Sequence, residues 1–443
     1  MTADLVGFEM RLNTILKGHV LDVLKTLPDA SVDCVMTSPP YYGLRNYNNC
    51  EAVWDAKEGC QHDFSVLYHK PRGGGDPTES TQVGNNRKIL HFNYDSAFCS
   101  LCGAWRGQLG LEPSWKMYVQ HLVQIFAEVK RVLKPSGSLW LNIGDTYFGG
   151  GHGGNTFYEL PSGEKVKSVK QGRSSYYIPT IHWEDDVYKP KCLMGIPWRV
   201  AFTMIEDGWI LRNAVIWYKP NHMPASIKDR LANTYEYIFH FVKSKKYHYD
   251  LDAIKLPHKS TPEEAVKKIQ QSGGKSDMEA SKGFAAYRKP LHPSGKNPGD
   301  VVRSKHDLAV HCVGRFSYMD PLHTKGYYEK GKNPGDFWEV NTRPYFGAHF
   351  AVFPPELCIV PILSTCPPEG VVMDIFAGSG TTLAVAKVLG RKYIGIEIVD
   401  KYISMMEERL RRLECPLMPI TKRKEAEEAV ERIFMGVKKN YGG

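Results

Sequence analysis

Short apolar runs alternate with amphipathic stretches at both ends of this 443-residue chain, and the pattern breaks down in between. Thr14 to Lys17 reads as a short extended run. Leu21, Leu24 and Leu27 then keep helical spacing until Pro28-Asp29 stops the helix. Val32-Asp33-Cys34-Val35-Met36 is apolar and β-branched enough for a buried parallel strand, and Pro39-Pro40 forbid its continuation. An amphipathic helix follows later, with Leu122, Ile125, Phe126, Val129, Val132 and Leu133 on one face. Lys134-Pro135-Ser136-Gly137 should end it, and Ser138 to Ile143 should form the next buried strand. A helix over 198–206 and strands over 210–217 and 237–242 complete this half. Near the other end the order repeats: strand 371–375, a glycine loop, helix 383–389, strand 393–398, helix 402–413. Such alternation predicts an α/β fold, a doubly wound Rossmann-like sheet covered by helices on both faces.

Three stretches interrupt the pattern. Residues 43–112 carry the run Gly73-Gly74-Gly75 and clustered cysteines, without regular periodicity, and read as an insertion. Residues 148–190 are glycine-rich and polar, as in a mobile loop. Residues 255–337 hold 15 Lys and Arg against 9 Asp and Glu, with many Gly and Pro. Gly-Lys-Asn-Pro-Gly-Asp occurs there twice, at 295–300 and 331–336, and is turn chemistry in each copy or a local duplication. The expected organisation is one domain in two halves, 12–254 and 338–415, with 255–337 between them and a basic tail over 416–443 read as a solvated helix.

Composition narrows the class. With 42% hydrophobic and 24% charged residues the chain is neither disordered nor a small disulfide scaffold. No run of about 18 apolar residues is present, and Met1 to Arg11 lacks an apolar core, so neither a membrane span nor a secretory signal is expected. The ten cysteines are accordingly expected to be thiols of a cytoplasmic protein. The formal charge of +9 suggests a polyanionic partner, and two-thirds of that excess lies in 255–337.

Three groups of residues carry chemistry. Asp374 ends a strand, Phe376-Ala377-Gly378-Ser379-Gly380-Thr381 leads into a helix, and Glu397 ends the next strand. Glycines there let a backbone approach an adenosine-containing cofactor, and an acidic residue about 20 positions on is placed for ribose hydroxyls. No Gly-Lys-Ser/Thr follows, so this is not a nucleoside-triphosphate loop. In Ser38-Pro39-Pro40-Tyr41 the prolines leave carbonyls free to accept hydrogen bonds from an exocyclic amine, and Tyr41 offers a stacking face. Finally, Cys60-x-His62 and Cys99-x-x-Cys102 could supply four ligands for a structural zinc ion. Cys50, His69 or His91 are alternative ligands, and reduced cysteines in a loop are the bland reading.

These motifs resemble the DNA amino-methyltransferases. Met36-Thr37-Ser38-Pro39-Pro40-Tyr41 is similar to their catalytic motif and Asp374 to Thr381 to their cofactor loop. His349 to Pro354, with Phe350 and Phe353, resembles the segment beside the methionine end of the cofactor. Asp207-Gly208-Trp209, Trp217-Tyr-Lys-Pro220 and Tyr235-Glu-Tyr-Ile-Phe239 also resemble family stretches. The catalytic motif precedes the cofactor loop, the circularly permuted order of the beta class. The resemblance implies a circularly permuted methyltransferase sheet; beside it, the Cys/His spacing reads as a zinc-ribbon-like insertion and the basic block 255–337 as a target-recognition insertion. It implies S-adenosylmethionine as cofactor and double-stranded DNA as partner, with a cognate restriction endonuclease and a second copy as further candidate partners. Family members often place Asp after the glycine ending the first strand; here His19 and Asp22 are the candidates for the adenine contact. Carbon-5 chemistry is excluded because no cysteine follows a proline in the catalytic motif. Serine before Pro-Pro-Tyr favours cytosine N4 over adenine N6. RNA or a protein amide as methyl acceptor, or an inactive zinc-containing DNA-binding module, are the remaining alternatives. The implied mechanism flips the target base onto Tyr41, with Ser38 and the Pro39 carbonyl orienting its amine for in-line displacement.

Overall fold

A computed structural model describes residues 10–45, 47, 50–69, 91–95, 98–148, 156–159, 165–168, 188–189, 191–222, 229–256, 334–343 and 353–438. The strands are β1 (Thr14–Lys17), β2 (Val32–Thr37), β3 (Ala52–Trp54), β4 (Ser65–His69), β5 (His91–Asp95), β6 (Trp105–Gly107), β7 (Leu133–Ile143), β8 (Thr156–Glu159), β9 (Lys165–Ser168), β10 (Ile210–Tyr218), β11 (Tyr235–Val242), β12 (Phe337–Glu339), β13 (Val371–Asp374) and β14 (Lys392–Glu397). The helices are α1 (Val20–Thr26), α2 (Trp115–Val132), α3 (Ile196–Glu206), α4 (Glu356–Thr365), α5 (Thr381–Val388), α6 (Asp400–Arg411) and α7 (Arg423–Lys438).

Eight strands form one sheet in the order β1-β14-β13-β2-β7-β11-β10-β12. Neighbours from β1 to β7 run parallel, and β11 is antiparallel to both β7 and β10. Strand alternation divides the apolar residues between two cores. Val35, Leu139, Leu141, Phe239, Phe241 and Met373 face the core built with α1, α2 and α3. Cys34, Met36, Trp140, Ile238 and Val372 face the other, built with α4, α5 and α7. Helices on both faces of a largely parallel sheet are the doubly wound architecture expected from the alternation.

α2 shows how local sequence sets an element. Ser114 caps it by accepting the Met117 N–H at 3.2 Å, and Leu122, Ile125, Phe126 and Val129 are wholly buried on its inner face. α2 ends at Val132, as the stop signal Lys134-Pro135-Ser136-Gly137 predicts, but the strand expected from Ser138 starts earlier and takes in these residues. β7 begins at Leu133, pairs it with Val32, and resumes by pairing Ser138 with Cys34, so residues 134–137 bulge out. Asp33 accounts for the bulge: its buried carboxylate accepts the Lys134 ammonium at 2.8 and 2.9 Å and the Val371 N–H at 2.8 Å.

Other expectations need correction. The insertion 43–112 is not without regular structure: β3 pairs with β6 and β4 with β5, both antiparallel. β8 pairs with β9 inside the stretch read as a loop, most of which lies outside the described residues. The tail is not simply solvated. α7 buries Ala426 and Val430, four positions apart on one face, in the second core. Residues 257–333, nearly all of the basic block, lie outside the described residues, as does Phe350. Among the described residues no helix is long and apolar enough to cross a membrane.

Replacing Asp33 strands the buried Val371 N–H and removes the partner of Lys134. Asp33→Ala is expected to lower the unfolding free energy by about 2–3 kcal/mol with the denaturant slope unchanged. Equilibrium denaturation checks this, and a loss below about 0.5 kcal/mol would show that the bulge is held by other means.

Candidate active site

A cleft of ≈ 1430 Å³ opens where the carboxyl ends of β1, β2, β7, β13 and β14 converge. Its two ends come from opposite ends of the chain.

At one end, β13 gives way to the glycine loop. Gly378 (φ +50°) and Gly380 (φ +73°) take left-handed backbone, and a Cβ on Gly380 would stand 2.8 Å from Met406 Cγ. Glu397 braces this loop from the tip of β14: one oxygen accepts the Gly378 N–H at 2.9 Å, the other those of Ile398 and Val399, each at 2.9 Å. Burial pushes its pKa up, although these N–H bonds oppose the shift. Phe376, Ala377, Gly378, Ser379, Thr381 and Glu397 line the cleft as expected; Gly380 does not. Asp374 does not line it either. Its side chain is buried, accepting from Thr37 Oγ1 at 2.7 Å, Thr382 Oγ1 at 2.7 Å and the Phe376 N–H at 3.1 Å. Burial raises its pKa to about 6.

At the other end, Ser38, Pro39, Pro40 and Tyr41 leave β2 and line the cleft. Tyr118 donates its hydroxyl to the Pro40 carbonyl at 2.8 Å, fixing the turn from beneath. The Tyr41 ring lies against Gly144, where a Cβ would come within 2.5 Å of Cε2. Its hydroxyl donates to Glu236 Oε2 at 2.7 Å and receives the Ser38 hydroxyl at 3.3 Å. Asn142 Nδ2 donates to the same Glu236 oxygen at 3.2 Å, and the Lys219 ammonium pairs with the other. Lys219 also sits 4.3 Å from the centre of the Trp217 ring. Burial, with Glu236 alongside, holds the Tyr41 phenol well above its usual pKa, so it stays protonated and donating.

Of the two candidates for an adenine contact, His19 lines the cleft and Asp22 does not; the Asp22 side chain is 78% exposed, 3.9 Å from His19 Nδ1. Burial lowers the His19 pKa and favours the neutral ring. Phe353 lines the cleft. Asn142, Lys219 and Glu236 were not singled out by sequence reasoning, although Lys219 and Glu236 fall within family-like stretches and those stretches were the available signal.

The four cysteine and histidine ligands expected for zinc come together. Their ligand atoms all lie within 4.8 Å of one another, with Cys60 Sγ 3.9 Å from Cys99 Sγ and Cys102 Sγ 3.3 Å from His62 Nδ1. A tetrahedral zinc with bonds of about 2.3 Å would set its sulfurs about 3.8 Å apart, so this donor set fits the ion. Cys50 lines the cleft instead.

Comparison with known proteins identifies the family. A family model described as DNA methylase, covering N6 and N4 enzymes, matches residues 32–408. The Type II methyltransferase M.XycI of Xanthomonas campestris pv. cyanopsidis is 31% identical over 401 residues, 90% of this chain and 88% of that one. M.SmaI of Serratia marcescens is 30% identical over 411 residues, 93% and 95% of the two chains. Among solved structures, the cytosine-N4-specific PvuII DNA methyltransferase aligns at a TM-score of 0.45 and 16% identity, over 96% of this chain and 94% of that one. The chain belongs to the N6/N4 DNA methylase family. It is a DNA methyltransferase.

Asp374 offers a test of the site's construction. Its folded pKa of about 6 exceeds the reference value of 3.8, so the stability it adds is fully present below about pH 4 and is lost as pH rises through 6. The unfolding free energy of the wild type minus that of Asp374→Asn should fall by up to about 3 kcal/mol between pH 4 and 7. A difference that stays flat with pH would show that the carboxyl is not held in this environment.

Proposed function

We propose that this enzyme transfers a methyl group from S-adenosylmethionine to the exocyclic N4 of cytosine in duplex DNA, as a site-specific Type II methyltransferase. The observation that carries the reading is the shared cleft: a Ser-Pro-Pro-Tyr turn and an adenosine-type glycine loop face the same space. When bound, the cofactor supplies a methyl group on a positively charged sulfonium. Glu397 keeps lone pairs for ribose hydroxyls while its backbone bonds hold the loop in shape. Phe376, Phe353 and His19 provide cleft walls for the adenosine and methionine parts.

For the acceptor, Tyr41 stacks on the flipped base. Ser38 Oγ and the Pro39 carbonyl accept the amino hydrogens, which turns the nitrogen lone pair toward the methyl group. The anchored Tyr41 hydroxyl means that the stacking surface is in place before the base arrives, so positioning supplies most of the rate. The surplus proton of the methylated nitrogen is released to water. Serine at position 38 supports cytosine N4 over adenine N6.

Residues 12–254 and 338–415 form the two halves of the catalytic domain, and the tail 416–443 follows them, its helix α7 packing Ala426 and Val430 into the second core. The basic block 255–337 reads the target, its Lys and Arg contacting phosphates and its polar side chains base edges. Cys60, His62, Cys99 and Cys102 hold a structural zinc ion. The Type II relatives suggest a cognate endonuclease acting at the same sites.

Incubation with labelled S-adenosylmethionine and duplex DNA, followed by nucleoside analysis, should give N4-methylcytosine. Tyr41→Ala should lower kcat by about 100-fold or more through lost positioning. N6-methyladenine would overturn the base assignment, and a Tyr41→Ala enzyme of normal rate would overturn the acceptor site.

A further inference from the structure

The cysteine–histidine cluster lies on the same insertion that builds one wall of the cleft. Cys60 follows β3, and Cys99 and Cys102 precede β6. These two strands pair over only three residues, from Ala52↔Gly107 to Trp54↔Trp105, which is too little to be stable alone. The turn beside them is shaped as a ligand knuckle: Gly103 (φ +78°) donates its N–H to the Cys99 carbonyl at 3.0 Å, and the Cys99 N–H bonds the Ala104 carbonyl at 2.8 Å. Three sulfurs and one imidazole suit a soft or borderline cation, and a closed set of four leaves no open catalytic position.

From this ribbon two indoles reach into the catalytic domain. Trp54 and Trp105 are buried and stack with the imidazole of His121 on α2, at centroid distances of 4.5 and 5.6 Å. The same imidazole bonds Glu112 at 3.0 Å and Asp55 at 3.1 Å. Trp54 also meets His19 edge-on at 4.7 Å, and both rings line the cleft close to where β1 ends. The position of that wall therefore depends on a ribbon held by these ring and carboxylate contacts at one end and by the cysteine–histidine cluster at the other.

We infer that a zinc ion bound by Cys60, His62, Cys99 and Cys102 fixes the β3–β6 ribbon and thereby the Trp54–His19 wall, so that metal loading sets the affinity of the cleft for the methyl donor. The inference rests on reading the cleft as the donor site. It assigns zinc a structural role and no part in methyl transfer.

The test uses the full-length protein purified without chelator. Elemental analysis should find one zinc per chain, absent from Cys99→Ser and from Cys60→Ser. Stripping the zinc should weaken S-adenosylhomocysteine binding by tenfold or more in calorimetry, with a red shift of tryptophan fluorescence, and added zinc should restore both. Trp54→Ala should keep its zinc yet lose affinity similarly, which separates wall placement from misfolding of a cysteine variant. A zinc-free protein, or one with a Cys60–Cys99 disulfide, overturns the metal assignment. Bound zinc with unchanged affinity after its removal overturns the coupling to the wall. Untreated, zinc-loaded protein that binds no S-adenosylhomocysteine overturns the donor-site reading, and the coupling with it, while the zinc analysis stands.

Discussion

Asp374 accepts one hydrogen bond from Thr37, 337 positions earlier in the chain, and another from Thr382, eight positions later. β2 and β13, which carry Thr37 and Asp374, are paired through only Val372↔Cys34 and Met373↔Val35. Two rungs set a direction but hold the strand tips weakly. The bonds at Asp374 tie those tips together where the sheet ladder ends, which brings Ser38 and Gly378 into one cleft. Burying the carboxylate raises its pKa, and the two hydroxyls and one backbone N–H offset part of that cost. In the permuted chain order no short loop joins the Ser-Pro-Pro-Tyr turn to the glycine loop, and this bracket spans the gap between them.

The remaining polar groups of the cleft follow a similar rule: each acidic side chain is braced. Glu236 is shared by Tyr41, Asn142 and Lys219, and Asp145 accepts the backbone N–H groups of Thr146, Gly195 and Ile196 at the start of α3. Satisfied carboxylates are rigid, and rigidity is what a methyl transfer governed by geometry requires. They also limit the repulsion that free carboxylates would exert on a polyanionic substrate.

Much of this was legible in the sequence. β2, β13 and β14 announced themselves as short apolar runs, α2 by its periodic face, and the Ser-Pro-Pro-Tyr turn, the glycine loop and the cysteine–histidine cluster by residue type and spacing. What escaped detection shares a physical cause. α4 buries Leu357 to Thr365 without a break and contains Pro361, so it has no amphipathic period to read. The bulge at 134–137 depends on Asp33, a neighbour about 100 positions away. Asp374 stands in the cofactor motif but turns inward, and only the location of Thr37 and Thr382 explains why. Glu236 matters through Tyr41, 195 positions distant. Local patterns encode elements and motifs; partners brought together by the sheet do not appear until the sheet is formed.

The claim most central to this account is that donor and acceptor meet in one cleft formed by both halves of the chain. A crystal structure with S-adenosylhomocysteine and target duplex tests it most directly. The account predicts the adenosine beside Phe376 with its ribose hydroxyls at Glu397. It also predicts a flipped cytosine stacked on Tyr41, with its amino nitrogen hydrogen-bonded to Ser38 Oγ and the Pro39 carbonyl. A donor bound outside this cleft, or a target base recognised while still stacked in the duplex, would contradict it.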